Sequence, residues 1–209
     1  MDKIKLVKKA WGEEHWIANQ DYCGKLLILK RGLRCSLHLH KKKDEVFYIY
    51  RGKVLMEAGN KKWIMKQGDK QHILPNTLHR FTGLTDAEII EFSSHHEDSD
   101  SYRKEPSGKA SLRKAYDYDG VVSKKIIPEE GSPIITGRSW EEINAIDFKR
   151  MKKNPIYFNP KTRLEKEKFA KEWKVEMIKK LEIEEFYEDE PEIVVYLEKK
   201  CPNCHIIKV

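Results

Sequence analysis

Two short stretches hold the residues best suited to chemistry. The first runs Gly32-Leu-Arg-Cys-Ser-Leu-His38-Leu-His40-Lys-Lys-Lys-Asp-Glu45, with Gly52 following. Residues two apart on a strand share a face, so His38 and His40 project together. A turn between Lys41 and Asp44 starts a partner strand at Glu45, which can then join them. His79, in Pro75-Asn-Thr-Leu-His79-Arg80, is the natural fourth ligand. Imidazoles with one carboxylate suit Zn, Mn, Fe, Co or Ni. A His-x-His pair alone would more often be an exposed edge-strand feature.

The second stretch is Lys114-Ala-Tyr-Asp117-Tyr-Asp119-Gly-Val-Val122. It sets two carboxylates just past a short apolar strand, and ligands of open α/β sheets bind at the carboxyl ends of strands. Aspartates two apart can hold Mg²⁺ and divide the work, one attacking and one moving protons. Turns use Asp-x-Asp-Gly constantly, so other features must carry the reading. Pro133-Ile-Ile-Thr136-Gly-Arg138 is an apolar strand ending in a hydroxyl and a tight turn, Lys174 lies on an amphipathic helix, and Phe186–Glu190 ends in acids before Pro191.

The elements around these stretches differ in kind. Strands are expected at 25–30, 34–40, 45–50, 53–57, 62–65 and 87–92, separated by turn residues at 31–32, 51–52, 59–60, 68–69 and 75–76. Such spacing suggests an antiparallel sandwich or barrel. Residues 95–111 are polar and aperiodic and read as a surface boundary. Beyond them, strands at 115–116, 133–135, 183–187 and 205–209 alternate with helix, clearest at 164–181, where Phe169, Trp173, Met177 and Leu181 recur every four residues. That alternation predicts a parallel sheet.

The first half resembles the cupin family, whose motif Gly-x5-His-x-His-x4-Glu-x6-Gly is met at Gly32, His38, His40, Glu45 and Gly52. Gly68 through Pro75 to His79 resembles the second motif, with Thr77 where a glycine is common and one residue fewer between proline and histidine. Trp11-Gly12, Lys25, Ser36-Leu37 and the Pro75–Arg80 stretch are similar to phosphomannose-isomerase-type cupins. The resemblance implies a jelly-roll barrel over residues 1–100, a divalent transition metal on His38, His40, Glu45 and His79, and aldose–ketose isomerisation of a sugar or sugar phosphate. Lys25, Lys43 and Arg80 are then candidate substrate contacts, with solvated surface as the plainer alternative.

The second half resembles the haloacid-dehalogenase-like (HAD) phosphatases. The resemblance makes Asp117 the nucleophile, Asp119 the general acid/base, Thr136 the phosphate-binding hydroxyl and Lys174 the charge-neutralising lysine, with Lys171 its rival. Mg²⁺ is implied on Asp117, Asp119 and Asp189, with Glu188 beside them, and Arg138 is a candidate substrate contact. Only residues 120–135 separate Asp119 from Thr136, which leaves no room for a cap domain. The implied fold is a minimal Rossmann-like α/β domain over 112–209, joined by a 101–111 linker.

Composition narrows the classes. The chain has 209 residues, 36% of them charged, with 5 Trp, 9 Tyr and 7 Phe to build cores. The +7 net charge comes from scattered lysines among nearly as many acids, and no nucleic-acid module is recognisable, so nucleic acid is not an expected partner. No apolar run approaches the ~18 residues a membrane helix needs. The start Met-Asp-Lys-Ile-Lys lacks a signal-like apolar run, so a cytoplasmic protein with reduced Cys23, Cys35, Cys201 and Cys204 is expected. Cys201-Pro-Asn-Cys204 lacks a second pair and reads as a turn. The expected partners are a small sugar or sugar phosphate and a second copy through the cupin. A non-catalytic binding module and a metal-dependent oxygenase are the competing functions.

Overall fold

A computed structural model describes residues 3–209, except 125, 143, 145, 146, 148, 150, 152 and 161–165. The chain divides into two compact units, Met1–Ser111 and Leu112–Val209.

The N-terminal unit is built from strands β1 (Lys5–Lys9), β2 (Gly12–Asn19), β3 (Tyr22–Leu29), β4 (Leu33–Arg34), β5 (Leu37–Leu39), β6 (Glu45–Arg51), β7 (Lys53–Ala58), β8 (Lys61–Lys66), β9 (Lys70–Ile73), β10 (His79–Gly83), β11 (Ala87–Ser94), β12 (Tyr102–Glu105) and β13 (Gly108–Lys109). One antiparallel sheet has the order β1-β2-β3-β11-β6-β9. In the other, β10 pairs with β4 and β5 on one edge and with β7 on the other, β8 lies beyond β7, and β12 and β13 extend β5 and β4. Alternation decides the inner faces. In β3 and β6 every second residue is buried, and Leu27, Leu29, Phe47, Ile49 and Ile89 from one sheet meet Val54, Met56, Met65 and Phe81 from the other in one apolar cluster. Each such side chain contributes about 1.5–3 kcal/mol by leaving water. The result is a β-sandwich.

Gly52 allows the tight β6–β7 turn. Its φ is 87°, and a Cβ there would stand 2.4 Å from the Asp86 carbonyl oxygen, so only glycine fits.

Two expectations change here. Residues 101–111 do not form a linker, because β12 and β13 lie in them and complete the second sheet. The hairpin β1–β2 has no counterpart in the expected strands. Charged residues on the edge strand β12, which guard against edge-to-edge pairing, made the 101–111 stretch look like surface loop.

The C-terminal unit carries β14 (Lys114–Tyr116), β15 (Ile134–Ile135), β16 (Ile156–Tyr157), α1 (Lys166–Lys180), β17 (Glu185–Glu188), α2 (Pro191–Lys200) and β18 (His205–Lys208). All pairings are parallel, in the order β16-β15-β14-β17-β18. Numbered from β14, that is 3-2-1-4-5, so the chain leaves the first strand toward both edges and makes a switch point between β14 and β17. On one sheet face Ala115, Ile135, Phe186 and Ile206 pack with Met177, Ile178, Val194 and Leu197 of the helices. On the other, Tyr116 and Ile134 pack with Tyr118, Val121, Val122 and Met151. The expected helix 164–181 agrees with α1 where described, and residues 164 and 165 lie outside the described residues. No helix among the described residues is long and apolar enough to cross a membrane.

Candidate functional site

In the N-terminal unit, register brings the histidines together. His79 on β10 stands opposite His38 on β5, and His40 follows two residues on. One nitrogen from each imidazole lies within 4.8 Å of the others. Each ring uses Nδ1 on a main-chain carbonyl: His38 on Ser36 at 2.8 Å, His40 on Asp100 at 2.8 Å and His79 on Thr77 at 2.9 Å. A carbonyl only accepts, so Nδ1 carries the proton and Nε2 keeps its lone pair, the tautomer a metal ligand needs. Burial, then His79, pushes the His38 pKa down to about 3. Burial likewise lowers that of His40.

Glu45, expected as a fourth ligand, lies beside the three histidines and outside their group of mutually close donor atoms. Its Oε1 is 2.9 Å from His79 Nε2 and 3.9 Å from His40 Nε2. Yet the close pair lacks hydrogen-bond geometry, and both atoms are buried without a hydrogen-bond partner. A buried polar atom is rarely left unmatched. Three imidazoles with Nδ1 spent on main-chain carbonyls, and two unmatched atoms aimed at one another, fit a divalent transition metal, with His38, His40 and His79 able to hold it and Glu45 beside them.

Asp100 holds the loop that presents His40. Its carboxylate accepts from the backbone N–H groups of Lys41 at 3.0 Å, Lys42 at 3.1 Å and Lys43 at 3.0 Å. Burial raises its pKa, but these bonds outweigh that and leave it lowered. The Lys41–Lys43 run is therefore a pinned turn.

A cavity of about 90 Å³ opens on His38 and His40. Its wall carries a chain of buried charge. Lys43 Nζ donates to Glu45 at 2.8 Å and to Glu91, Lys25 stands 3.5 Å from Glu14 and 4.0 Å from Glu91, and Lys9 stands 3.2 Å from Glu14. Lys25 also lies over the Trp16 ring. Burial would raise the Glu14 carboxyl, but Lys25 and Lys9 outweigh it and leave it lowered. Lys25 thus reaches the interior as expected, and Lys43 does so bound to two carboxylates. Arg80 does not reach the cavity. It follows His79 on β10, points to the opposite face, and donates to Glu57 at 2.5 Å and Glu105 at 2.6 Å. The cavity also holds Glu14, Glu91 and His96, none of them marked in the sequence by a motif. Inward alternation on β2 and β11 was the one available signal for the two glutamates.

In the C-terminal unit the acids gather at the switch point, where ligands of such sheets bind. Asp117 follows β14, while Glu188 ends β17 and Asp189 follows it. These three offer oxygens within 4.8 Å of one another and can hold a second cation. Lys174, from α1, reaches 2.6 Å from Glu188 and 3.1 Å from Asp117. Burial pushes Asp117 up to about 7, with Lys174 opposing and Glu188 adding to the rise. Burial alone would lower the Lys174 pKa, but Asp117 and Glu188 outweigh it. Lys171 instead lies over the Tyr196 ring, which leaves Lys174 as the lysine of the cluster.

Two assignments come out differently. Asp119 is outside the cation group, and Arg138 grips both its oxygens at 3.0 and 2.5 Å. Glu188 takes its place. Thr136 is fully buried, its hydroxyl accepting the Arg138 N–H at 3.1 Å, and it does not line the cavity of about 1000 Å³ where Asp117, Asp119, Arg138, Lys174 and Glu188 meet. Gly120 is required by close approach. At φ 70°, a Cβ there would sit 1.7 Å from an Asp189 oxygen. Cys201 and Cys204 form the expected turn, with Cys204 N–H donating to Cys201 O at 3.0 Å, and both pack into the apolar cluster.

Residues 25–93 match the cupin domain model. A 57-residue stretch is 35% identical to an uncharacterised protein of Methanocaldococcus jannaschii, covering 27% of this chain and 46% of that protein. The chain thus spans under half the length of that curated relative. Among solved structures, KdgF from Halomonas sp. is similar at 20% identity and TM-score 0.43, over 46% of this chain and 91% of that one. The capsular polysaccharide assembling protein CapF of Staphylococcus aureus is similar at 17% and 0.45, over 50% and 32%. A single-substitution variant of the oxalate decarboxylase of Bacillus subtilis is similar at 15% and 0.44, over 48% and 30%. Residues 25–93, which contain every one of the gathered histidines and Glu45, are a cupin domain.

Proposed function

We propose that the N-terminal unit is a metal-dependent cupin that isomerises a small sugar or sugar phosphate. The observation that carries the reading is the set of three imidazoles, each with Nδ1 tied to a main-chain carbonyl and Nε2 left for a metal. When bound, a divalent metal polarises a carbonyl and stabilises the charge of an enediolate. The chain's own part is to move a proton at the adjacent carbon and exclude water. Glu14 and Glu91 are the cavity carboxylates in position to take that proton, and Lys25 and Lys43 hold them in place.

The C-terminal unit is proposed as a Mg²⁺-dependent HAD-like phosphohydrolase. Asp117 is the attacking carboxylate, and Lys174 offsets the charge gathered at the switch point. Asp119 moves the proton once Arg138 releases it. The position of Asp117, Glu188 and Asp189 at the sheet's switch point supports this second reading.

One experiment tests both. Purified protein is analysed for metal, then given a panel of sugar phosphates while isomer and free phosphate are measured together. His38→Ala is expected to lose the transition metal and isomerisation but keep phosphate release. Asp117→Asn is expected to do the reverse. Saturable ligand binding without turnover by either unit would replace this reading with a binding module. Oxygen uptake with Fe²⁺ and none with Zn²⁺ would replace it with an oxygenase.

A further inference from the structure

Register places one more residue beside the histidines. Arg103 on β12 stands opposite His38 on β5, and His38 stands opposite His79 on β10. Residues directly opposite in antiparallel strands share a face, so Arg103, His38 and His79 form one row across the sheet. Neighbouring strands are about 4.8 Å apart, which sets Arg103 one strand outward from the metal-site face. It lines the cavity mouth, with Ser101 and Ser107 nearby.

Arg103 differs from the other cations of that wall. Lys9 and Lys25 are matched to Glu14, and Lys43 to Glu45 and Glu91. Arg80 is spent on Glu57 and Glu105 on the opposite face. Arg103 is exposed, and its side chain has no hydrogen bond or ion pair among the described residues. A deep cavity whose lysines are already neutralised gains nothing from a buried anion. An uncommitted guanidinium at its mouth binds carboxylate or phosphate through two parallel N–H bonds.

We propose that Arg103 is the anion-binding, specificity-determining residue of the cupin site. Its substrate then bears a carboxylate or phosphate at the mouth and offers a hydroxyl or carbonyl oxygen inward to the metal. The proposal rests on the metal-site reading and narrows it to anionic substrates.

The test is calorimetric titration of metal-loaded full-length protein at low ionic strength with two probes, glycolate and methylphosphonate. Wild type is compared with Arg103→Gln, Arg103→Lys and, as a control for net charge, Lys104→Gln. At least one probe is expected to bind about 10- to 100-fold more weakly to Arg103→Gln, as loss of a charged hydrogen bond implies. Arg103→Lys is expected to restore part of the affinity and Lys104→Gln to leave it unchanged. The better-bound probe assigns carboxylate or phosphate. Binding in the C-terminal unit is common to all variants and is fitted as a second, unchanged site, so the ratio is taken for the first site alone. Equal affinity in wild type and Arg103→Gln overturns the proposal. So does an equal loss in Lys104→Gln, or no binding of either probe to wild type. The same ratio measured on chelator-treated protein separates the failures. If the protein retains no metal, the metal-site reading falls, while the Arg103 contrast is still read.

Discussion

The two units assemble buried polar groups by different means. In the N-terminal unit two of the three gathered histidines sit on paired strands, and the ladder that aligns β5 with β10 also aligns His38 with His79. Their protons go to main-chain carbonyls. In the C-terminal unit the acids sit just beyond strand ends, and one buried lysine balances two of them. The first site is held by backbone geometry and the second by charge. A site held by charge must lose stability when a partner is removed. A site held by register should lose what it can bind and little stability.

The sharpest way to break this comparison is Lys174→Met. It leaves Asp117 and Glu188 buried without a counter-charge, and breaking a buried pair this way costs about 3–5 kcal/mol. Urea unfolding followed in the C-terminal unit should show that loss, while transition-metal content stays unchanged. Gly120→Ala comes next. Its Cβ would overlap the Asp189 carboxylate and its backbone is left-handed, so a loss of about 1–3 kcal/mol is expected, with weaker Mg²⁺ binding by titration. A melt indistinguishable from wild type would show that the Asp189 loop moves freely.

Asp100→Ala probes the other unit. The Lys43 N–H it accepts is buried and would be left unmatched, so the expected cost is about 1–3 kcal/mol. Transition-metal affinity should fall by ~10-fold or less, because the Asp100 carbonyl that orients His40 remains. The last effect is absent at neutral pH and appears only in acid. Burial, then Lys25 and Lys43, pushes His96 from 6.5 down to about 4. Between those values the unfolded chain binds the proton and the folded one does not, so stability rises with pH across that window and falls on acidification. His96→Gln should flatten that part of a stability-against-pH curve for metal-free protein.

What could be read in advance follows the same division. The interior strands alternate strictly, and Gly32, His38, His40, Glu45 and Gly52 keep fixed spacing, so both the sandwich and its ligands were legible. Asp100, Glu14, Glu91 and Arg103 were not, because they meet the histidines only after distant strands pair. In the C-terminal unit the positions of Asp117 and Lys174 were readable from local context. That Glu188 would join the cation group and Asp119 face Arg138 depends on the path of the loop around Gly120, and no local pattern encodes that path. Edge segments such as β12 misled for the opposite reason, since their charged residues imitate a linker.

The acceptors that orient the three imidazoles are peptide carbonyls of Ser36, Thr77 and Asp100. No side-chain replacement deletes a peptide carbonyl. The basicity of the ligand set is thus a property of the chain's path rather than of any neighbouring residue. The cavity wall can be rewritten while the three imidazoles keep the tautomer that could hold a metal.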